Sequence, residues 1–142
     1  MNKMEDLYPL ILEAFNNDLT FKFPIRGESM LPLLKTNDFV TISKINRRMK
    51  KGDILLYRRD NQQFVLHRVR RIKKGIYTMV GDHQRVVEKN IKDSNLIGVV
   101  ISYWKNDKEY KLNRLSYKIY KLLVRISLLR WIFGHVYHEK KV

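Results

Sequence analysis

Two side chains, Ser29 in "RGESMLPLL" (residues 26–34) and His67 in "QFVLHRVRRI" (residues 63–72), are of the types that together perform nucleophilic acyl transfer. A serine hydroxyl attacks a carbonyl only when a neighbouring base takes its proton, and the oxyanion that develops needs backbone N–H donors beside it. Pro32 stops a helix from running through the serine segment, and Gly27 lets the backbone approach a ligand closely. Ser29 is then either an ordinary turn residue or a nucleophile on a tight loop. If residues 63–72 form a strand, Val65, His67 and Val69 share one face, while Phe64, Leu66, Arg68 and Arg70 share the other. His67 therefore points with two valines into apolar surroundings. It is either a satisfied core residue or a base that burial keeps neutral, the state general-base catalysis requires.

Other chemistries are closed off by composition. The chain has no cysteine, which removes disulfides, thiolate metal sites and cysteine nucleophiles. Its histidines are His67, His83, His135 and His138; the last two stand three apart, but no carboxylate-rich segment accompanies them, so neither a metal site nor a cofactor is expected.

The elements that must position Ser29 and His67 can be read from periodicity. Leu7, Leu10, Ile11 and Phe15 recur at helical spacing, which predicts a short amphipathic helix over residues 3–16. From residue 20 to about 111 the texture changes to short β-branched and aromatic runs: "TFKFPI", "DFVTISKI", "DILLYRR", "QFVLHRVRRI", "GIYTMV", "LIGVVISYW" and "KEYKL". The segments "KKGD", "RDNQQ", "IKKG" and "KNDK" between them read as turns. The expected organisation is an N-terminal helix (1–19), a β body (20–112) and an amphipathic C-terminal helix with its tail (113–142). In that last segment Leu115, Ile119, Leu122, Leu123, Ile126, Leu129 and Phe133 form an apolar stripe, and Arg114, Lys118, Lys121 and Arg125 lie opposite.

The 142 residues suit one domain, and 29 Lys and Arg against 14 Asp and Glu leave a formal charge of +15. Such an imbalance points to a polyanion or an anionic membrane surface as partner. The C-terminal helix either packs on its own domain, takes a partner helix, or lies in a headgroup layer with its basic side toward anionic lipid and Trp131, Phe133 and Tyr137 at the interface. The basic residues are spread over strands, turns and the final helix rather than gathered in one recognition element, which argues against nucleic acid. No secretory signal and no conventional membrane-spanning run is read, so the expected location is the cytoplasm, peripheral at the membrane.

The order of the motifs adds to this. "GESMLPLLKTNDFV", "KKGDILLYRR", "VLHRVRRI", "GIYTMVGDHQRVVE" and "NLIGVVISYW", covering about residues 24–102, resemble the signal peptidase I superfamily box after box. Ser29, in Gly-x-Ser-Met-x-Pro, matches the family's nucleophile. His67 stands where the bacterial housekeeping branch and the self-cleaving SOS repressors have a lysine, as in the endoplasmic-reticulum and sporulation-type branch. The resemblance implies a mainly antiparallel β fold of the signal-peptidase and SOS-repressor type. It also implies a serine endopeptidase that holds its peptide substrate as an added strand and cuts a leader or pro-segment after small side chains. Gly27, Ser29 and Met30 are placed by it at the substrate and oxyanion site. The residue that orients His67 is either Asp82, in "GDHQ", or Glu88, where the histidine-using branch usually has Asp. As alternatives, Asp82 is a plain turn residue and Glu88 a surface ion pair. Departures are "TND" at 36–38, His83 and Gln84 in place of an asparagine pair, and no counterpart of the family's membrane anchor. Two other classes of function stay open: a peptide-binding module without turnover, and a basic membrane- or nucleic-acid-binding domain.

Overall fold

A computed structural model describes residues 3–113 and 115–125. Helix α1 (Met4–Asn16) is followed by strands β1 (Phe21–Pro24), β2 (Phe39–Ser43), β3 (Ile54–Arg58), β4 (Phe64–Lys73), β5 (Ile76–Val80) and β6 (Glu88–Lys92). A single 3₁₀ turn, Asp93–Asn95, leads into β7 (Leu96–Lys105), β8 (Lys108–Lys111) and helix α2 (Leu115–Arg125). The strands form one antiparallel sheet in the order β1-β2-β7-β3-β4-β5-β6, with β8 added to β7. The fold is therefore mainly β, with a short N-terminal helix.

The turn residues explain why consecutive strands double back. Lys74 and Gly75 (φ +51° and +73°) and Asn106 and Asp107 (φ +50° and +64°) occupy the left-handed region, the conformation that closes two-residue hairpins without splaying the strands. The β4–β5 and β7–β8 hairpins follow directly.

The core has two parts, one on each side of β3. Ile54 and Leu56 face a cluster that includes Ile11 and Phe15 of α1, Phe23, Leu34, Val40, Ile42 and Val100. Leu55 and Tyr57 face a second cluster with Met49, Val69, Met79, Ile91 and Val99. Burial on both faces is the reason that "ILLY" shows no polar alternation. Helix α1 is thus part of the same core as the strands. Its Phe15 sits on Gly98, where an added Cβ would meet the Phe15 ring and the Ser43 carbonyl at 3.0 Å.

Strand β6 has no counterpart among the predicted strands. Its sequence, "EKNIK", buries only Ile91, and Asn90 interrupts it at φ +66°. A strand held by pairing with β5 and one apolar anchor carries almost no periodic signal. The predicted C-terminal helix is found as α2 over Leu115–Arg125, and Ile126 to the end of the stripe, with Trp131, Phe133, His135, Tyr137 and His138, lies outside the described residues. Within α2, Tyr120 is partly buried against the first core cluster, and its hydroxyl donates to Asp82 Oδ2 at 2.9 Å. Ile119 and Leu122 stay exposed, at 50% and 60%.

Candidate active site

Ser29 sits in the loop between β1 and β2, and local chemistry fixes that loop at three points. Gly27 adopts φ +88°, a conformation that disfavours side chains. The Gly27 N–H donates to Thr36 Oγ1, and the Thr36 hydroxyl donates back to the Gly27 carbonyl, both at 3.1 Å. Downstream, Met30, Leu33 and Leu34 are buried in the first core cluster, so Ser29 lies between a clamped glycine and a hydrophobic anchor. The third point is the β5–β6 connection, where the His83 N–H donates to the Ser29 carbonyl at 2.9 Å.

His67 lies in the middle of β4, opposite Leu55 of β3, and is 5% exposed. Its Nδ1 is 3.3 Å from the Tyr57 hydroxyl. That hydroxyl donates to Glu88 Oε1 at 2.7 Å, and the other Glu88 oxygen accepts from Arg59 Nε at 2.5 Å. Burial pulls the His67 pKa down to about 4; Glu88 and Asp82 oppose the shift and Arg59 adds to it. The ring is consequently neutral near pH 7. Burial and the neighbouring Glu88 also push the Tyr57 phenol far above its ordinary value, so it stays protonated.

Asp82 is committed elsewhere. It is buried and accepts two hydrogen bonds of 2.7 Å from Arg68, one on each oxygen, besides the one from Tyr120. Arg68 also donates to the Gly52 carbonyl, tying the β5–β6 connection to the turn before β3. The two sequence candidates for orienting His67 therefore differ: Glu88 reaches it through one tyrosine, whereas Asp82 acts on it only through space.

Ser29 and His67 line one cleft of about 340 Å³, together with Gly27, Met30 and Gln84. Met4 and Leu7 of α1, Phe23 of β1, and Leu56 and Leu66 give it an apolar wall. Among the described residues no hydrogen bond joins Ser29 to His67; contacts between a nucleophile and its base are often long without substrate and tighten when it binds.

The family model described as Peptidase S24-like matches residues 1–101, a span that holds Ser29, His67, Asp82 and Glu88. The chain belongs to that family. It is a serine-peptidase-like protein, and the matched span holds β1 to β6 and the first part of β7 of the antiparallel sheet described above. Among curated proteins none matches the chain.

In the Peptidase S24-like domain, the sequence reading picked out Ser29, His67, Gly27 and Met30, which the fold brings to one cleft, and Glu88, which it brings within one residue of His67. It missed Tyr57, Arg59 and Arg68. Tyr57 looks like one more apolar strand residue in "DILLYRR". Registering the hairpin around "RDNQQ" would have found it, because pairing Arg58 with Phe64 sets Leu55 opposite His67 and leaves Tyr57 on the same face.

Proposed function

We propose that the chain is a serine endopeptidase of the signal-peptidase type, in its histidine-using branch, with Ser29 as nucleophile and His67 as general base. The observation that carries this reading is the convergence of the two on one cleft, from a loop and a strand far apart in sequence. A neutral, buried imidazole that shares a cleft with a serine on a clamped loop supports base-assisted attack. In the forward step Ser29 Oγ bonds to the scissile carbonyl carbon and its proton passes to His67. His67 then protonates the departing amine as the C–N bond breaks, and water releases the acyl group by the same route in reverse. The Ser29 N–H serves the oxyanion, with Gly27 and Met30 flanking the approach.

The substrate is a leader or pro-segment bound in extended form and cut after a small residue, as the resemblance to signal peptidases suggests. The apolar wall of the cleft supports a substrate with apolar side chains near the scissile bond. Mass-spectrometric mapping of a serine-directed acylating inhibitor tests the reading. The expected adduct is on Ser29, absent in Ser29→Ala; labelling elsewhere, or none with an intact fold, favours a peptide-binding module without turnover.

A peripheral membrane site is a second reading, favoured by the exposed Ile119, Leu122 and Leu123 of α2 next to the exposed Lys118. No helix among the described residues is long and apolar enough to cross a membrane. The charge of +15 suits an anionic surface, and the enzyme would then act at the cytoplasmic face.

A further inference from the structure

The phenol of Tyr57 carries one proton and stands between Glu88 and His67. Its oxygen is 2.7 Å from Glu88 Oε1 and 3.3 Å from His67 Nδ1. Glu88 is ion-paired with Arg59, whose Nε donates to Oε2 at 2.5 Å, and the oxygens of a paired carboxylate only accept. The shorter, charge-assisted bond takes the phenolic proton. The 3.3 Å contact is then a hydrogen bond only if His67 Nδ1 supplies the hydrogen, because the phenol oxygen has nothing left to offer but a lone pair.

From this we infer that Tyr57 is a positioning residue: it relays the negative charge of Glu88 to His67, holds the imidazole as the Nδ1–H tautomer, and leaves Nε2 as the basic nitrogen. A carboxylate placed directly on a histidine does the same work in serine hydrolases. Here the direct place is filled by the tyrosine ring, which packs edge-on to the imidazole with centroids 6.2 Å apart. Tyr57 is fully buried and belongs to the second core cluster, so its hydroxyl has a fixed direction. Arg59 anchors the far end. The relay Arg59–Glu88–Tyr57–His67 draws on β3, β6, β4 and the residue after β3, with Tyr57, His67 and Glu88 set by strand pairing and Arg59 by the turn that follows β3.

The inference deepens the Ser29/His67 reading, and it has a readout that does not depend on activity. In the full-length ¹⁵N-labelled chain at pH 7, long-range ¹H–¹⁵N spectra of His67, assigned with a His67→Gln variant, are expected to show one tautomer, Nδ1–H. Tyr57→Phe, which keeps the ring, is expected to move the signal toward the Nε2–H form that free histidine favours. Glu88→Gln is expected to do the same, because an amide can donate to the phenol oxygen and free the phenolic proton for Nδ1; it serves where Tyr57→Phe fails to fold. An Nε2–H tautomer in the wild type, or an Nδ1–H tautomer unchanged in both variants, would overturn the relay. Ser29→Ala is expected to leave the tautomer as it is. If Ser29→Ala retained peptidase activity while the tautomer still followed Tyr57, the nucleophile assignment would fall and the relay would stand. Where activity is measurable, Tyr57→Phe is expected to lower kcat on the order of tenfold with KM nearly unchanged.

Discussion

Gly81 and Ser29 meet backbone to backbone: a Cβ built on Gly81 would lie 2.4 Å from the Ser29 carbonyl oxygen. No flexible side chain can yield there, so the contact holds the serine loop against the end of β5 at a distance only glycine permits. Gly81→Ala is expected to displace Ser29 and to lower the rate of acylation by a serine-directed inhibitor by about a hundredfold, since errors of an ångström have that effect. Overpacking should cost roughly 1–3 kcal/mol of stability, leaving a folded protein. Circular dichroism melts beside inhibitor kinetics make the comparison; wild-type kinetics in Gly81→Ala would mean the contact does not position the serine.

His67 makes the pH dependence unusual. Its folded-state pKa is lowered to about 4, mainly by burial, with Glu88, Arg59 and Asp82 as the charged groups acting on it. Catalysis that requires neutral His67 should therefore keep its plateau well below pH 6, with the acid limb of kcat/KM near pH 4. A limb near the ordinary histidine value would show that His67 is more exposed to water than its position in β4 allows.

Stability follows the same group with a definite sign. Between pH 6.5 and about 4 the unfolded chain protonates this histidine while the folded one does not, so the folded state loses stability as pH falls through that window. The loss attributable to His67 is about 3 kcal/mol, from the size of the shift. Urea unfolding at pH 7 and pH 4 should show a fall larger by that amount in the wild type than in His67→Gln.

Arg68 and Asp82 form a buried pair with side chains 4% and 1% exposed. Arg68→Met leaves the carboxylate uncompensated and is expected to destabilise the fold by roughly 3–5 kcal/mol. The double variant Arg68→Met with Asp82→Leu should recover much of that. A double variant no more stable than the single one would show that the pair contributes through its other bonds, to Gly52 and Tyr120, rather than through charge compensation.

Exposed Ile119 and Leu122 give the membrane reading a direct check. Sedimentation with anionic vesicles should retain the chain at low salt and release part of it as salt rises, while Ile119→Glu with Leu122→Glu should abolish retention. Equal retention of the double variant would reduce the effect to charge alone, and binding to duplex DNA at the same salt would point the +15 elsewhere.

Much of this architecture was legible because it follows local rules. Seven of the strands announce themselves as β-branched or aromatic runs between turn residues, and α1 as a stripe of Leu7, Ile11 and Phe15. Ser29 and His67 stood out because few residue types can do acyl transfer. What escaped depends on register. Tyr57 matters only because β3 and β4 pair so as to set it beside His67, and Arg68 only because Asp82 returns to it from β5. In "VLHRVRRI" nothing marks Arg68 as a buried partner and Arg71 as solvent-facing; the pairing shifts register between Val69 and Arg71. Strand β6 was invisible for a related reason, since pairing and one isoleucine hold it in place.

Met4 and Leu7 reach over from the first helix to close one side of the space that Ser29 and His67 share. That helix is anchored by Ile11 and Phe15 in the main core, so it cannot be trimmed as a dispensable leader. A version cut back to its strands would keep the hydroxyl and the imidazole but lose the apolar flank of the cleft that they line. Fusion tags and truncations at this end are thus changes to the wall of that cleft.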